Sequence, residues 1–220
     1  MNQILNNPTP KMNRGASQSD KPEVMTDIYK DDVNIAIWQR SLSSELLNAA
    51  ERIITLNRQF KFSASISLNA ISDVLYKELG KTPEAKLISA DVSEVADMFC
   101  YLFDLDRVGL RLATLDQAMC PKFHVDRVPC RLVSTYSGVA TQWLSHSDVN
   151  RKKLGIGSNG LPDDQSGLYL DNTDIHQLSC GDVGLLKGES WVNNEGGGLV
   201  HRSPDLTKQK KRLLLTLDFN

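Results

Sequence analysis

The period of the hydrophobic pattern changes near residue 106, and this change constrains the fold more than any other feature of the sequence. Before it, apolar residues recur at helical spacing in three segments, 43–60, 67–79 and 82–103. After it, short runs alternate between apolar and polar residues, with Gly, Asn, Asp and Pro between the runs. Such runs are typical of antiparallel sandwiches or barrels. We therefore predict an α+β chain, with a mainly helical N-terminal half packed on a C-terminal β-jelly roll.

The expected boundaries follow the same pattern. Residues 1–27 are polar and lack apolar periodicity, which predicts a disordered tail. Residues 28–220 are expected to form a single domain, with helical support over 28–106 and the jelly-roll core over 107–220. Within it, alternation predicts strands at Val33–Trp38, 108–115, 123–126, 131–136, 184–187 and 212–219. The stretch 145–180 has the length and composition of a loop over a binding site.

A His-x-Asp motif supplies the strongest indication of chemistry. His124 and Asp126 are two residues apart, so in an extended strand both side chains point the same way. A third ligand has to come from another strand, and His201 is the candidate. Two histidines and one carboxylate on one face of a metal leave the opposite positions open for substrate and oxygen. The three residues therefore predict a non-haem iron site.

Arg212 begins the last predicted strand and is the candidate for binding an anion. If the leucines that alternate with it pack on the helices, Arg212 points into the barrel. A guanidinium there offers a planar fork that fits a carboxylate with two hydrogen bonds. Arg202 and Arg131 are the alternatives for this role.

The chain resembles the iron(II)- and 2-oxoglutarate-dependent oxygenases in the order of four features: the His-x-Asp motif, the strand at Gly181-Asp182, the distal His201 and the later Arg212. The resemblance implies a double-stranded β-helix, iron(II) held by His124, Asp126 and His201, and 2-oxoglutarate bound through Arg212. It also implies a hydroxylase-type reaction on a small-molecule or peptide substrate. The sequence departs from the pattern two positions after the arginine, where many of these enzymes have a hydroxyl residue and this chain has Leu214.

A closer resemblance covers about residues 30 to 220. The strings CPKFHVDRVPCRLVSTYSG, LLKGESW, VHRSP and RLLLTLD are similar to a bacterial family known as domain of unknown function 1826. The activity of that family is not established, so this resemblance implies a shared fold and a shared motif set and leaves the substrate open.

Two cysteines beside the motif allow a different interpretation of the site. Cys120 and Cys130 could join His124 and Asp126 around zinc, because thiolates favour that metal. The chain would then be a non-catalytic zinc- or iron-binding protein of a metal-homeostasis system. A cupin-like fold that binds a small acid without redox chemistry is a third possibility. Since free cysteines are often buried, we expect two buried thiols near the site.

Composition excludes some classes of function. The formal net charge of −2 gives no electrostatic case for nucleic acid as a partner. No run approaches the roughly 20 apolar residues of a membrane helix, and the N-terminus lacks the apolar core of a signal peptide. We therefore expect a cytoplasmic protein. His176 has no motif partner and is expected either at the surface or behind the metal ligands.

Overall fold

The computed structural model describes residues 14–206 and 211–219 as a mixed helical and sheet fold, which confirms the expected mixture. The helices are α1 (Ser44–Leu56), α2 (Ile71–Glu78), α3 (Pro83–Phe103) and α4 (Asp163–Ser166). The strands are β1 (Gly15–Ser19), β2 (Val33–Trp38), β3 (Lys61–Ser67), β4 (Arg107–Leu115), β5 (Cys130–Ser137), β6 (Gln142–Leu144), β7 (Ile175–Gln177), β8 (Val183–Lys187), β9 (Val200–Arg202) and β10 (Arg212–Asp218). None of the described helices is long and apolar enough to cross a membrane.

Local sequence signals set the ends of the two longest helices. The Ser43 hydroxyl accepts a hydrogen bond from the Leu46 amide at the start of α1, and the Thr82 hydroxyl accepts one from the Ala85 amide at the start of α3. These side chains satisfy amide groups that have no partner within the first turn of a helix. The α3 helix ends at Phe103, and the next residue, Asp104, has a left-handed φ of 53° that stops the helical hydrogen bonding.

Seven strands form the large sheet, in the order β1-β2-β8-β5-β10-β4-β3. Neighbours are antiparallel, except that β1 runs parallel to β2. The outer face of this sheet carries Leu213, Leu215 and Leu217 of β10, which are buried against α1, α2 and α3. The leucines thus pack on the helices as the alternation predicts, and the residues between them, Arg212, Leu214 and Thr216, lie on the opposite, inner face.

Three strands form the small sheet, in the order β7-β6-β9. An apolar layer joins it to the inner face of the large sheet: Ile35 and Ile37 of β2 and Val133 of β5 pack in one cluster with Trp143 of β6. Where the small sheet covers it, the inner face is therefore enclosed between two sheets, and side chains there are shielded from water. Sites that bind small molecules commonly lie in such enclosed positions.

The prediction of a disordered tail over 1–27 is wrong for its second half. Strand β1 and a 3-10 helix at Pro22–Tyr29 follow one another directly, and Met25 and Ile28 are buried. The segment needs little apolar periodicity because β1 is held by main-chain hydrogen bonds to β2 and because two apolar side chains anchor the turn. Residues 1–13 lie outside the described residues.

Two further segments differ from the expectation. The predicted helix at 43–60 ends at Leu56, and the chain continues into β3, an unpredicted strand at the edge of the large sheet. The stretch 145–180 contains α4, β7 and several 3-10 turns, and it buries Leu168 and Tyr169 in an apolar cluster with Leu144. It is therefore a packed part of the fold, with its apolar residues too widely spaced to reveal a period.

Candidate metal centre

Main-chain pairing brings the two motif histidines together. The His124 amide donates to the His201 carbonyl at 3.0 Å, and the His201 amide donates to the His124 carbonyl at 3.0 Å. This reciprocal pair is an isolated antiparallel bridge, so the predicted strand at 123–126 is reduced to one paired residue. Pro121 and Pro129 flank the segment, and because proline cannot donate to a ladder, regular pairing cannot extend far on either side.

The three predicted ligands converge on one point. The Asp126 carboxylate lies 3.7 Å from His124 Nε2 through Oδ1 and 3.3 Å from His201 Nε2 through Oδ2. One ligand atom from each residue lies within 4.8 Å of the others, and the group contains no cysteine. The His201 side chain is buried, whereas those of His124 and Asp126 are partly exposed. The arrangement can hold a metal ion with three donors and leave one side open.

The orientation of both imidazoles suits metal binding. His124 Nδ1 lies 3.0 Å from the Lys122 carbonyl, and His201 Nδ1 lies 3.2 Å from the Leu199 carbonyl. In each neutral ring the Nδ1–H then donates to the carbonyl, which leaves the lone pair on Nε2, the atom that faces Asp126. Backbone carbonyls commonly fix the tautomer of metal-binding histidines in this way.

Arg131 neutralises the carboxylate at the centre of the site. Its Nη1 donates to Asp126 Oδ2 at 2.7 Å, while its Nε and Nη2 donate to the two oxygens of Asp218 at 2.7 and 3.0 Å. Burial raises the pKa of Asp126, but in the metal-free site the hydrogen bond and the charge of a protonated His201, together with the charge of Arg131, outweigh it and lower the pKa to about 2. Burial, and next the charge of His201, lower the pKa of His124. The ionised carboxylate and the neutral His124 are the ligand-competent forms.

Arg212 is buried on the inner face without a counter-charge. Its Nη2 donates to Thr141 Oγ1 at 2.8 Å and to Thr135 Oγ1 at 3.3 Å, and its Nε has no hydrogen-bond partner. No carboxylate among residues 14–206 and 211–219 forms an ion pair with it. Burial lowers the pKa of Arg212 to about 10. The guanidinium is held in place by two neutral hydroxyls and retains donors for an anion.

The other two candidate arginines have partners already. Arg131 is committed to Asp126 and Asp218, as described. Arg202 donates to Gln142 at 2.8 Å and to Asp163 at 3.3 Å, and its guanidinium lies 4.3 Å from the centre of the Phe123 ring. As the residue after His201 in β9, it points to the other side of that strand. Of the three arginines, Arg212 is the one with free hydrogen-bonding capacity in a buried position.

The cysteines are placed apart from the ligand atoms. Cys130 is fully buried, where burial raises the pKa of its thiol, and Cys120 is exposed. The expectation of two buried thiols therefore holds for Cys130 and is wrong for Cys120, because the segment that contains Cys120 lies at the surface. His176 is exposed, as predicted, and stacks on Trp143 with 4.3 Å between ring centres.

Sequence reasoning missed four residues that support the site. Asp218 has no motif signature, and its role depends on pairing with Arg131 across two strands. Thr135 and Thr141 accept the hydrogen bonds that hold the Arg212 guanidinium. Gly138, with φ of 92°, passes so close to the backbone of Lys211 and Arg212 that a side chain at this position would collide with it. The alternation within β5 could have placed Thr135 on the inner face, but Thr141 lies beyond the strand.

A family model described as "Protein of unknown function (DUF1826)" matches residues 19–218. The chain belongs to the DUF1826 family. The match spans the small sheet, every strand of the large sheet except β1, the four α-helices and the three candidate ligands, so the whole site lies within the DUF1826 region. No curated protein sequence matches this DUF1826 chain.

Solved structures resemble the DUF1826 chain at low sequence identity. A dioxygenase for auxin oxidation from rice has a TM-score of 0.55 and 10% identity, with 93% of this chain and 82% of that chain covered. A Pseudomonas putida prolyl-4-hydroxylase scores 0.47 at 11% identity, with coverage of 90% and 96%. HygX from Streptomyces hygroscopicus, solved with nickel and 2-oxoglutarate bound, scores 0.45 at 11% identity, with coverage of 90% and 85%. The last two scores are too low to bear on the fold, and the first indicates a shared fold alone.

Proposed function

We propose that this DUF1826 protein is an oxygenase of the hydroxylase type that depends on iron(II) and 2-oxoglutarate. In this proposal the two facing sheets are the double-stranded β-helix of that class, His124, Asp126 and His201 hold the iron, and Arg212 binds the distal carboxylate of 2-oxoglutarate. The fold shared with a dioxygenase is consistent with this assignment, although folds of this kind host many activities and the site has to carry the argument.

The observation that carries the proposal is the buried and uncompensated charge of Arg212. Burying a guanidinium without an anion costs several kcal/mol, and proteins rarely retain such a group unless a ligand supplies the missing charge. Its two threonine partners orient the guanidinium without neutralising it. An organic acid that enters the space between the sheets would complete the pair.

The position of Arg212 favours an acid that also reaches the metal centre. Arg212 and Asp218 lie on the same face of β10, and Asp218 contacts Arg131, which contacts Asp126. Arg131 and Thr135 are four residues apart on β5, and four residues of strand span about 13 Å. This length separates the end of the face near Asp126 from the end near Arg212. A dicarboxylate has two charged ends, so one end can pair with Arg212 while the other lies toward the three ligands.

The donor set suits iron(II) better than it suits a metal that prefers thiolate ligands. Two imidazoles and one carboxylate, with open positions, are the set found in non-haem iron oxygenases, whereas structural zinc sites close around four ligands and favour sulfur. The cluster contains no cysteine. When bound, the metal and 2-oxoglutarate would supply the oxidising chemistry, for which protein side chains have no equivalent.

The chain's own residues would prepare and maintain this site. Arg131 keeps Asp126 ionised and fixes one of its oxygens at 2.7 Å, so that the carboxylate is ready to bind. The carbonyls of Lys122 and Leu199 hold the two rings with Nε2 toward the metal position. The apolar layer excludes water from the part of the inner face that the small sheet covers. This exclusion of water strengthens the electrostatic interaction between Arg212 and a bound anion.

The experiment is an anaerobic titration of the iron(II)-loaded protein with 2-oxoglutarate. We expect binding by calorimetry, together with a visible absorption band that arises when a 2-oxo acid chelates iron(II). Arg212→Ala should weaken binding by about ten- to a hundredfold, the worth of charge-assisted hydrogen bonds. Arg202→Ala is the matched control, since Arg202 is already paired with Asp163, and it should bind as wild type does.

Each outcome decides a part of the proposal. If the iron-loaded wild type does not bind 2-oxoglutarate, the oxygenase assignment fails and a metal-binding role without this chemistry takes its place. If Arg202→Ala loses binding and Arg212→Ala keeps it, the class stands and the anchor is reassigned.

A further inference from the structure

A second cationic feature lies on the inner face, at the end of the large sheet away from β1. Strand β4 places Arg111 on this face directly opposite Thr216 of β10, and β3 places Lys61 opposite Ala113 of β4. Both cationic side chains are exposed. Within 14–206 and 211–219, neither forms an ion pair with a carboxylate.

These two cations line a cleft of ≈ 380 Å³. Its floor is apolar, formed by Ala113 and Leu115, which are buried with Leu214 in a small cluster. The lining also includes the segment from Asp116 to Met119, which leads directly into the ligand segment that begins at Cys120. The cleft therefore borders the start of the chain segment that carries His124 and Asp126.

Strand register gives the separation of this cleft from the metal centre. Arg111 pairs with Thr216, and Thr216 pairs with Val133 of β5, so Arg111 lies two strands, or about 10 Å, from β5. Two residues further along the same three strands, Gly109, Asp218 and Arg131 lie side by side and form the neighbouring row. Arg131 in this row contacts the ligand Asp126. Arg111 therefore lies one row along the inner face from the ion pair of Asp218 and Arg131, which contacts the metal centre through Asp126.

From this arrangement we infer that the cleft binds the substrate, and that the substrate is a monocarboxylic acid with a compact apolar body. The inference rests on the proposed function and names the substrate class of that site. Arg111 and Lys61 receive the carboxylate, and the apolar body rests on Ala113 and Leu115. Among the described residues that line the cleft, Asp116 is the acidic one, so these residues carry a net charge of +1 from two cations and one anion, which matches a monoanion.

The test compares an acid with its uncharged analogue. The probes are 4-phenylbutyrate, its primary amide and phenylbutyl phosphate, titrated by calorimetry into the full chain with and without saturating 2-oxoglutarate. We expect the carboxylate to bind at least about tenfold more tightly than the amide, and Arg111→Gln to remove this preference. Arg107→Gln is the matched control, because it removes the same charge from the same face of β4 outside the cleft.

The variants separate this inference from the proposed function. Arg212→Ala should leave the carboxylate preference intact while weakening 2-oxoglutarate binding. Equal binding of acid and amide overturns the inference, as does an equal loss in Arg107→Gln or a loss confined to Arg212→Ala. Tighter binding of the phosphate than of the carboxylate overturns the choice of a monoanion. If the carboxylate binds at Arg111 but iron-loaded wild type does not bind 2-oxoglutarate, the cleft stands as an acid-binding site and the oxygenase assignment falls.

Discussion

The two ends of the inner face each carry a buried or partly buried arginine, and the two are neutralised in opposite ways. Arg131 lies 2.7 Å from both Asp126 and Asp218. Arg212, at the other end of β10, contacts two threonine hydroxyls and no carboxylate of the described chain. The first arginine completes an ion-pair network inside the protein, whereas the second leaves its charge available to an incoming anion.

The difference comes from strand register. Arg131 pairs with Asp218 across the β5–β10 ladder, so its counter-charge is provided by the neighbouring strand. Arg212 pairs with Leu115 across the β10–β4 ladder, and no acid is provided. The same residue type on the same face is thus part of the fold at one end and a candidate binding group at the other, and the residue directly across the ladder decides which.

Substitutions at the two ends of the inner face should differ most in their effect on metal affinity. His124→Ala, Asp126→Ala and His201→Ala should each lower iron(II) or manganese(II) affinity by more than about a hundredfold, because a direct ligand contributes more than the outer partners of a ligand do. Arg212→Met should keep full affinity. Equilibrium dialysis followed by elemental analysis measures this, and His176→Ala is the matched histidine control. Full metal content in any of the three ligand variants would contradict the site.

The free energy of unfolding should change in different directions when Arg131 and Arg212 are each replaced. Arg131→Met leaves Asp126 and Asp218 close together without their cation, and we expect the free energy of unfolding to fall by about 2–3 kcal/mol, since both carboxylates are partly exposed. Arg212→Met removes a buried charge that has no counter-charge, so the free energy of unfolding should stay the same or rise. Urea unfolding without metal or organic acid tests both. A similar loss in both variants would mean that Arg212 has a structural partner.

The smallest effect is expected from thiol modification at the metal end. In the native protein at pH 8, iodoacetamide should modify the exposed Cys120 and Cys180 and spare Cys100 and Cys130. Burial raises the pKa of Cys100 to about 11, so its thiolate is scarce until the pH approaches that value. Metal content should not change on modification, because the ligand group contains no sulfur. Loss of metal on modification of Cys120 would revive the mixed thiolate site. Peptide mass mapping with and without denaturant provides the control.

Much of the large sheet could be predicted because one face of its strands packs on the helices and the other turns toward the small sheet. The alternation in β10 correctly separated the leucine face from the face with Arg212. The predicted strand Val33–Trp38 coincides with β2. These segments are long enough for the period of two to appear in the sequence itself.

The elements that escaped prediction are held by pairing or by distant partners. Strand β1 has almost no apolar residues and depends on its main-chain bonds to β2. Strand register gives Asp218 and Thr135 their roles, and loop position gives Thr141 its role. Register and loop position cannot be read from the residue spacing around these positions. His124 and Asp126 do lie close together, but a single bridge from His124 to His201 takes the place of the strand that the spacing suggested.

The reciprocal bridge between His124 and His201 has a consequence for how this protein would exchange its metal. Two main-chain hydrogen bonds hold residues 77 positions apart at a fixed separation, and these bonds do not involve the imidazoles. A chelator could therefore withdraw the ion while the coordinating atoms keep their places, and a new ion could enter at once.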